Sequence, residues 1–182
     1  GTIKSNGSQG VNIGGGTSIG NFTNETNGVI SSIFSYDGNI NTLDNKGTIN
    51  QGISFVGVYV DTFTNSGTLQ ETSQKSWSGQ AVISVQASGR YGTIKTFTNE
   101  GLIKSENANG IALEAGNKIE TFINKGTIEA KDNGLSFYYF SGSNSIDIGK
   151  ITIGDSGIIK AGNDAIHIDG SKADINVQDI DI

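Results

Sequence analysis

Ile94-Lys-Thr-Phe97-Thr-Asn99-Glu-Gly101-Leu-Ile103 and Ile119-Glu-Thr-Phe122-Ile-Asn124-Lys-Gly126-Thr-Ile128 are two copies of one phrase. Shorter copies read Leu43-Asp-Asn45-Lys-Gly47-Thr-Ile49 and Phe63-Thr-Asn65-Ser-Gly67-Thr-Leu69. Phe22-Thr-Asn24 continues, after a two-residue insertion, as Gly28-Val-Ile30, and a weakened copy runs Ile153-Gly-Asp155-Ser-Gly157-Ile-Ile159. The opening Gly1-Thr-Ile3 reads as the tail of a seventh copy. A phrase recurring at this scale is the mark of stacked structural repeats.

Within each copy the marked residues sit two apart. That is the strand period, so Phe, Asn, Gly and Ile share one face. Ser5, Ser105, Ala130 and Ala161 follow on that face, while Lys4, Lys104, Glu129 and Lys160 between them want water. One face is thus expected to pack and the other to be solvated. The insertion in the first copy is even, which places Thr26 inward and keeps Ile30 in phase. A second apolar alternation follows the phrase: Val11-Asn-Ile13, Ile53-Ser-Phe55, Val82 to Val85, Ile111-Ala-Leu113, Leu135-Ser-Phe137 and Ile166-His-Ile168. Asn109-Gly110, Asn133-Gly134 and Asn163-Asp164 introduce it, and such residues tolerate the left-handed backbone of a sharp corner. A third apolar residue precedes the phrase, as Ile19, Ile40, Val60, Ile94, Ile119 and Ile151.

The repeat glycines at 1, 28, 47, 67, 101, 126 and 157 are 27, 19, 20, 34, 25 and 31 residues apart. Each interval holds two or three short strands, the content of one β-helix turn. The chain therefore predicts a right-handed, single-stranded parallel β-helix of about six to seven turns over residues 1–182. Like residues should stack: Phe22, Leu43, Phe63, Phe97, Phe122 and Ile153 in one ladder, Asn24, Asn45, Asn65, Asn99, Asn124 and Asp155 in another. A β-propeller needs four strands in about 40 residues, more than most of these repeats hold. A β-sandwich does not predict one phrase recurring in phase.

Among 182 residues there are 27 Gly and no Pro, Cys or Met. Without Cys there is no disulfide, thiolate nucleophile or Cys-ligated metal. The lack of Met and a start inside a repeat read as an excerpt of a longer solenoid. Net charge is −6, with 12 dispersed basic residues. That argues against nucleic acid and gives an anionic membrane surface no obvious purchase. No transmembrane run is present.

The repeats resemble the passengers of type V autotransporters of Gram-negative bacteria, most closely the vacuolating-cytotoxin-like group of large epsilon-proteobacterial proteins. The resemblance runs over nearly the whole chain. It implies a secreted, surface-displayed rod, and such passengers include adhesins, toxins and proteases.

Several segments imitate catalytic or binding motifs. Gly154-Asp155-Ser156-Gly157 has the form of a serine-protease nucleophile, but Asp155 and Gly157 are repeat positions and the only histidine, His167, follows the serine. Gly162-Asn-Asp164-Ala-Ile166 resembles part of a calcium nonapeptide, yet the next comparable acid is Asp174 and the double glycine is missing. Asp164, His167 and Asp169 are similar to segments of polysaccharide-degrading β-helices, where two carboxylates must face one bond; here they lie at odd separation. Two surface features remain. Tyr138 and Phe140 point outward by parity, opposite Phe137 and Tyr139, and exposed aromatics can stack on sugars or anchor a partner. The 34-residue interval holds Trp77, Arg90 and Tyr91 on what would be one enlarged, projecting corner.

These observations lead to an expected non-catalytic, adhesin-like passenger segment with no cofactor and no metal. Its partner would be a host cell-surface protein or glycan. A toxin-type segment that binds a receptor and self-associates through its β-helix ends is the alternative. A carbohydrate-active tailspike or lyase is the second.

Overall fold

A computed structural model describes residues 1–5, 9–72, 81–139, 145–171 and 174–182. The chain winds seven times, and each winding contributes one strand to each of three parallel sheets. The first sheet holds β1 (Thr2–Ile3), β4 (Val29–Ile30), β7 (Thr48–Ile49), β10 (Thr68–Glu71), β13 (Leu102–Ser105), β16 (Thr127–Ala130) and β19 (Ile158–Ala161). The second holds β2 (Val11–Ile13), β5 (Ile33–Tyr36), β8 (Ile53–Val56), β11 (Ala81–Gln86), β14 (Asn109–Glu114), β17 (Leu135–Tyr138) and β20 (Ile166–Ile168). The third holds β3 (Ser18–Asn24), β6 (Asn39–Asn45), β9 (Tyr59–Asn65), β12 (Thr93–Asn99), β15 (Lys118–Asn124), β18 (Ile146–Ile153) and β21 (Ile175–Asp181). This is the parallel β-helix that the repeated phrase requires.

The phrase lies across one corner. Its Phe-x-Asn half ends a strand of the third sheet, and its Gly-x-Ile half opens a strand of the first. Register follows the phrase through the middle windings: Leu43 pairs with Phe63, Phe63 with Phe97 and Phe97 with Phe122. The sixth copy departs from expectation. Phe122 pairs with Ile151 and Asn124 with Ile153, so Ile153 stands in the amide column rather than the aromatic one. Asp155 belongs to neither ladder; it is exposed in the turn after β18. The preceding apolar column likewise continues through Ile148, not Ile151.

The cause is a two-residue turn insertion. Gly157 N–H donates to Gly154 O at 2.7 Å, as Gly28 N–H donates to Glu25 O at 2.6 Å in the first copy. Both insertions bulge into solvent, so Thr26 is exposed rather than inward.

Stacking makes the core. Phe63 and Phe97 lie face to face at 4.3 Å between ring centroids, and Phe122 follows at 5.1 Å with a 52° tilt. Phe55 meets Phe63 edge-on from the second sheet at 6.2 Å. Beside the rings runs the amide ladder. Asn24 Nδ2 donates to Asn45 Oδ1 at 2.7 Å; Asn45 to Asn65, Asn65 to Asn99 and Asn99 to Asn124 repeat this at 2.8 Å. The remaining amide hydrogen reaches a carbonyl of the next winding, such as Leu102 O or Ile158 O. From Asn45 to Asn124 each buried amide is thus used as donor and acceptor at once, which offsets the cost of burying it.

The glycine column has a steric cause. A Cβ on Gly67, Gly101 or Gly126 would sit well inside contact distance of the carbonyl oxygen of the repeat glycine one winding earlier. Only glycine lets successive corners come this close.

Left-handed backbone falls elsewhere than the Asn-Gly pairs suggest. It occurs at Gly52 and, on the corner between the second and third sheets, at Gly16, Asp37, Gly57, Gly89 and Gly116. Gly110 and Gly134 are instead required by close approach: a Cβ on Gly110 would lie 2.7 Å from Gly134 O. The asparagines beside them form a short corner ladder. Asn133 N–H donates to Asn109 Oδ1 and Asp164 N–H to Asn133 Oδ1, each at 3.1 Å.

Packing is not one-sided everywhere. On the second sheet the outward Ser84, Ala112 and Ser136 are buried, so β11, β14 and β17 are covered on both faces. On the first sheet the outward row stays wet, and Lys160 pairs with Glu129 at 3.3 Å.

Candidate functional site

The corner between the second and third sheets carries the exposed tyrosines Tyr36 and Tyr91. In the fourth winding this corner (residues 87–92) reaches back over its neighbours. Arg90 Nη2 donates to Gly38 O at 2.9 Å, its Nε donates to Gly57 O, and it pairs with Asp37 Oδ1 at 3.4 Å. Ser88 and Tyr36 join their hydroxyls at 3.0 Å. Arg90 therefore pins three windings together and holds Asp37 in its left-handed conformation. It is a structural clamp, not a free binding cation. Tyr91 faces the other way along the axis, with its ring over Gly116 of the fifth winding, and is half exposed.

Tyr138 lies two windings beyond Arg90, paired in register with Glu114. It is half-buried, and burial, with the neighbouring Glu114 charge, raises its phenol above the ordinary range. Burial also raises the Glu114 carboxyl, opposed by the Ala87 N–H that donates to Oε2 at 3.2 Å. Tyr139 packs against the core, as its parity predicts.

Of the five expected surface residues, the structure brings Arg90, Tyr91 and Tyr138 to one edge. Trp77 and Phe140 lie outside the described residues. The 34-residue interval is not one enlarged corner. Strand β11 divides it, and Arg90 and Tyr91 fall after that strand, between β11 and β12, while Trp77 precedes it in the sequence. Tyr36, 40% exposed, belongs to the aromatic edge and went unnoticed in the sequence. The signal was available: it ends an Ile33-Phe-Ser35-Tyr36 strand, the second-sheet strand of its winding.

The catalytic motifs find no constellation. Ser156 Oγ donates to the Lys125 carbonyl at 2.7 Å, in the turn before β19, while His167 stands on β20. His167 Nδ1 meets Asp164 Oδ2 at 2.9 Å on the exposed surface. Among the described residues no group of three or more His, Cys, Asp or Glu could hold a metal ion. No described helix is long and apolar enough to cross a membrane, which says nothing of a β-barrel. One buried carboxyl group was unforeseen. Glu71 stands at the inward position of Ser105 and Ala130, and its Oε2 accepts from Ser105 Oγ at 3.2 Å.

Compared with known proteins, the chain matches no family model, no curated protein and no solved structure.

Proposed function

We propose that this chain is a non-catalytic passenger segment of a bacterial autotransporter, displayed at the cell surface as a rigid adhesive rod. The observation that carries the reading is the tyrosine edge. Three tyrosines from three different windings stand along one corner of a scaffold whose side chains are locked rung to rung. A rigid stack holds such groups at fixed spacing without an ordering cost on binding. The repeated phrase, with its likeness to autotransporter passengers, supports surface display. Host cell-surface protein or glycan is the partner class.

A second reading rests on the last winding. On β21, Ile175 and Val177 are each 39% exposed and Ile180 40%. A second copy of the chain laid against this strand would cover them, and a toxin-type segment would assemble this way.

The test is binding of the fluorescently labelled chain to host epithelial cells, with light scattering alongside. The adhesive reading predicts saturable binding by a monomer. Assembly that grows with concentration, without cell binding by the monomer, supports the toxin-type reading. Shortening of a polysaccharide by the chain overturns both in favour of a carbohydrate-active enzyme.

A further inference from the structure

We propose that the tyrosine edge binds a neutral, extended β-linked polysaccharide that runs parallel to the solenoid axis. The inference rests on the adhesive reading above and names its ligand. Register supplies the first argument. Tyr36 pairs with Val56, Val56 with Gln86, and Glu114 with Tyr138. Val85 pairs with Leu113, which sets Gln86 beside Glu114. Tyr36 and Tyr138 therefore occupy one column, four windings or about 19 Å apart at the usual strand spacing. Tyr91, in the corner five residues after Gln86, leans from the fourth winding over Gly116 of the fifth, beside that column. Two rings in one column along the axis, with a third beside the interval between them, suit an extended glycan ribbon and not a coiled one.

Chemistry supplies the second argument. A pyranose has a C–H face, weakly positive, and a rim of hydroxyls. The negative face of a tyrosine ring attracts the first, as it attracts aromatic edges and cations. The Ser88 and Tyr36 hydroxyls, the Gln86 amide and the Glu114 carboxylate line the same edge and can meet the second. A protein partner would want an apolar centre. Here the exposed large hydrophobic side chains are Tyr36 and Tyr91, the others in the described chain lying on the first and last windings.

Charge supplies the third. Arg90 is already committed to Asp37 and two carbonyls, Glu114 lies in the column, and the chain carries −6 overall. An acidic polysaccharide would be repelled.

The experiment titrates the chain, by calorimetry, with cello-oligosaccharides of increasing length and with oligoalginate as the anionic counterpart. Affinity should climb with length until the oligomer spans the edge, and alginate should bind more weakly. The double variant Tyr36→Ala, Tyr138→Ala should lose at least about tenfold in affinity, as base–aromatic platforms do on truncation. Tyr36→Phe with Tyr138→Phe should keep most of it. Unchanged circular-dichroism melts establish that the variants fold. Length-independent binding, preference for alginate, or indifference to the alanine variant overturns the glycan assignment. If cells are still bound in that case, the adhesive reading survives with a protein partner; if nothing is bound, both fall.

Discussion

Asn65→Asp should destabilise the fold by about 3–5 kcal/mol at neutral pH, the cost of a buried charge left without a partner. The substitution changes almost no volume. It replaces an amide whose Nδ2 donates to Asn99 Oδ1 at 2.8 Å and to Leu102 O at 3.3 Å. A carboxylate there keeps the bond from Asn45 but points a second acceptor at Asn99 Oδ1. The residue is fully buried, so no water intervenes. The pH dependence identifies the cause. Burial and the facing carbonyls raise the folded-state pKa of the new acid above its unfolded value. The folded state then holds more protons between those two values, so the variant loses stability as pH rises through that window. Urea melts of variant and parent at acid and neutral pH should show the gap narrowing toward acid. A loss below about 1 kcal/mol, or a gap that does not move with pH, would show that the ladder is not made of paired amides.

Phe97→Ala is the second large effect, expected at about 3–5 kcal/mol. The ring is fully buried between Phe63 at 4.3 Å and Phe122 at 5.1 Å. Truncation removes transfer free energy and leaves a cavity in mid-stack that neighbouring windings, held by ladders on both sides, cannot collapse into. Phe97→Leu should cost much less, about 1.5 kcal/mol or below, since volume is nearly kept. The column already accepts Leu43 and Ile151. Chemical denaturation monitored by circular dichroism separates the two. Equal losses for Ala and Leu would mean that ring stacking, not filled volume, governs the column.

The repeats showed their inward and outward faces well and their register less well, for one physical reason. Side-chain direction alternates with period two, so a shift of two residues leaves every face unchanged. Parity therefore could not tell whether the extra pair in Gly154–Gly157 lay in the strand or in the turn. Ile153 and Asp155 were accordingly placed two residues out of step. Hydrogen bonding decides it: a tight turn closed by Gly157 on Gly154 takes the pair into solvent. Thr26 follows the same rule. The glycines were legible as markers, but their cause was not, because close approach between windings is a property of the stack.

The site was less legible than the fold. Arg90 and Tyr91 were picked out as corner residues, and they are. That Arg90 grips Asp37, Gly38 and Gly57 depends on which windings lie beneath it, and corner lengths do not encode that. Tyr36 and Tyr138 share a column only because five strands of the second sheet stay in register between residues 33 and 138. Glu71 was invisible because its inward position elsewhere holds Ser105 and Ala130, which gave no sign that a carboxyl group could be enclosed there.

Distances between successive windings test the whole account. The chain has no Cys, so spin labels can be placed at will. Thr23, Thr98 and Thr152 occupy one outward column of the third sheet, in the first, fourth and sixth windings. Cysteine pairs labelled at these sites should give separations of about 14 Å for Thr23 with Thr98 and about 24 Å for Thr23 with Thr152 by electron-spin dipolar spectroscopy. Separation should thus follow the number of windings and not of residues: in the same column Thr23 with Thr64 and Thr64 with Ile123 each span two windings, at 41 and 59 residues, and both pairs should give about 10 Å. Distances that follow residue count, or that scatter without relation to winding number, contradict the stacked coil on which the adhesive rod depends.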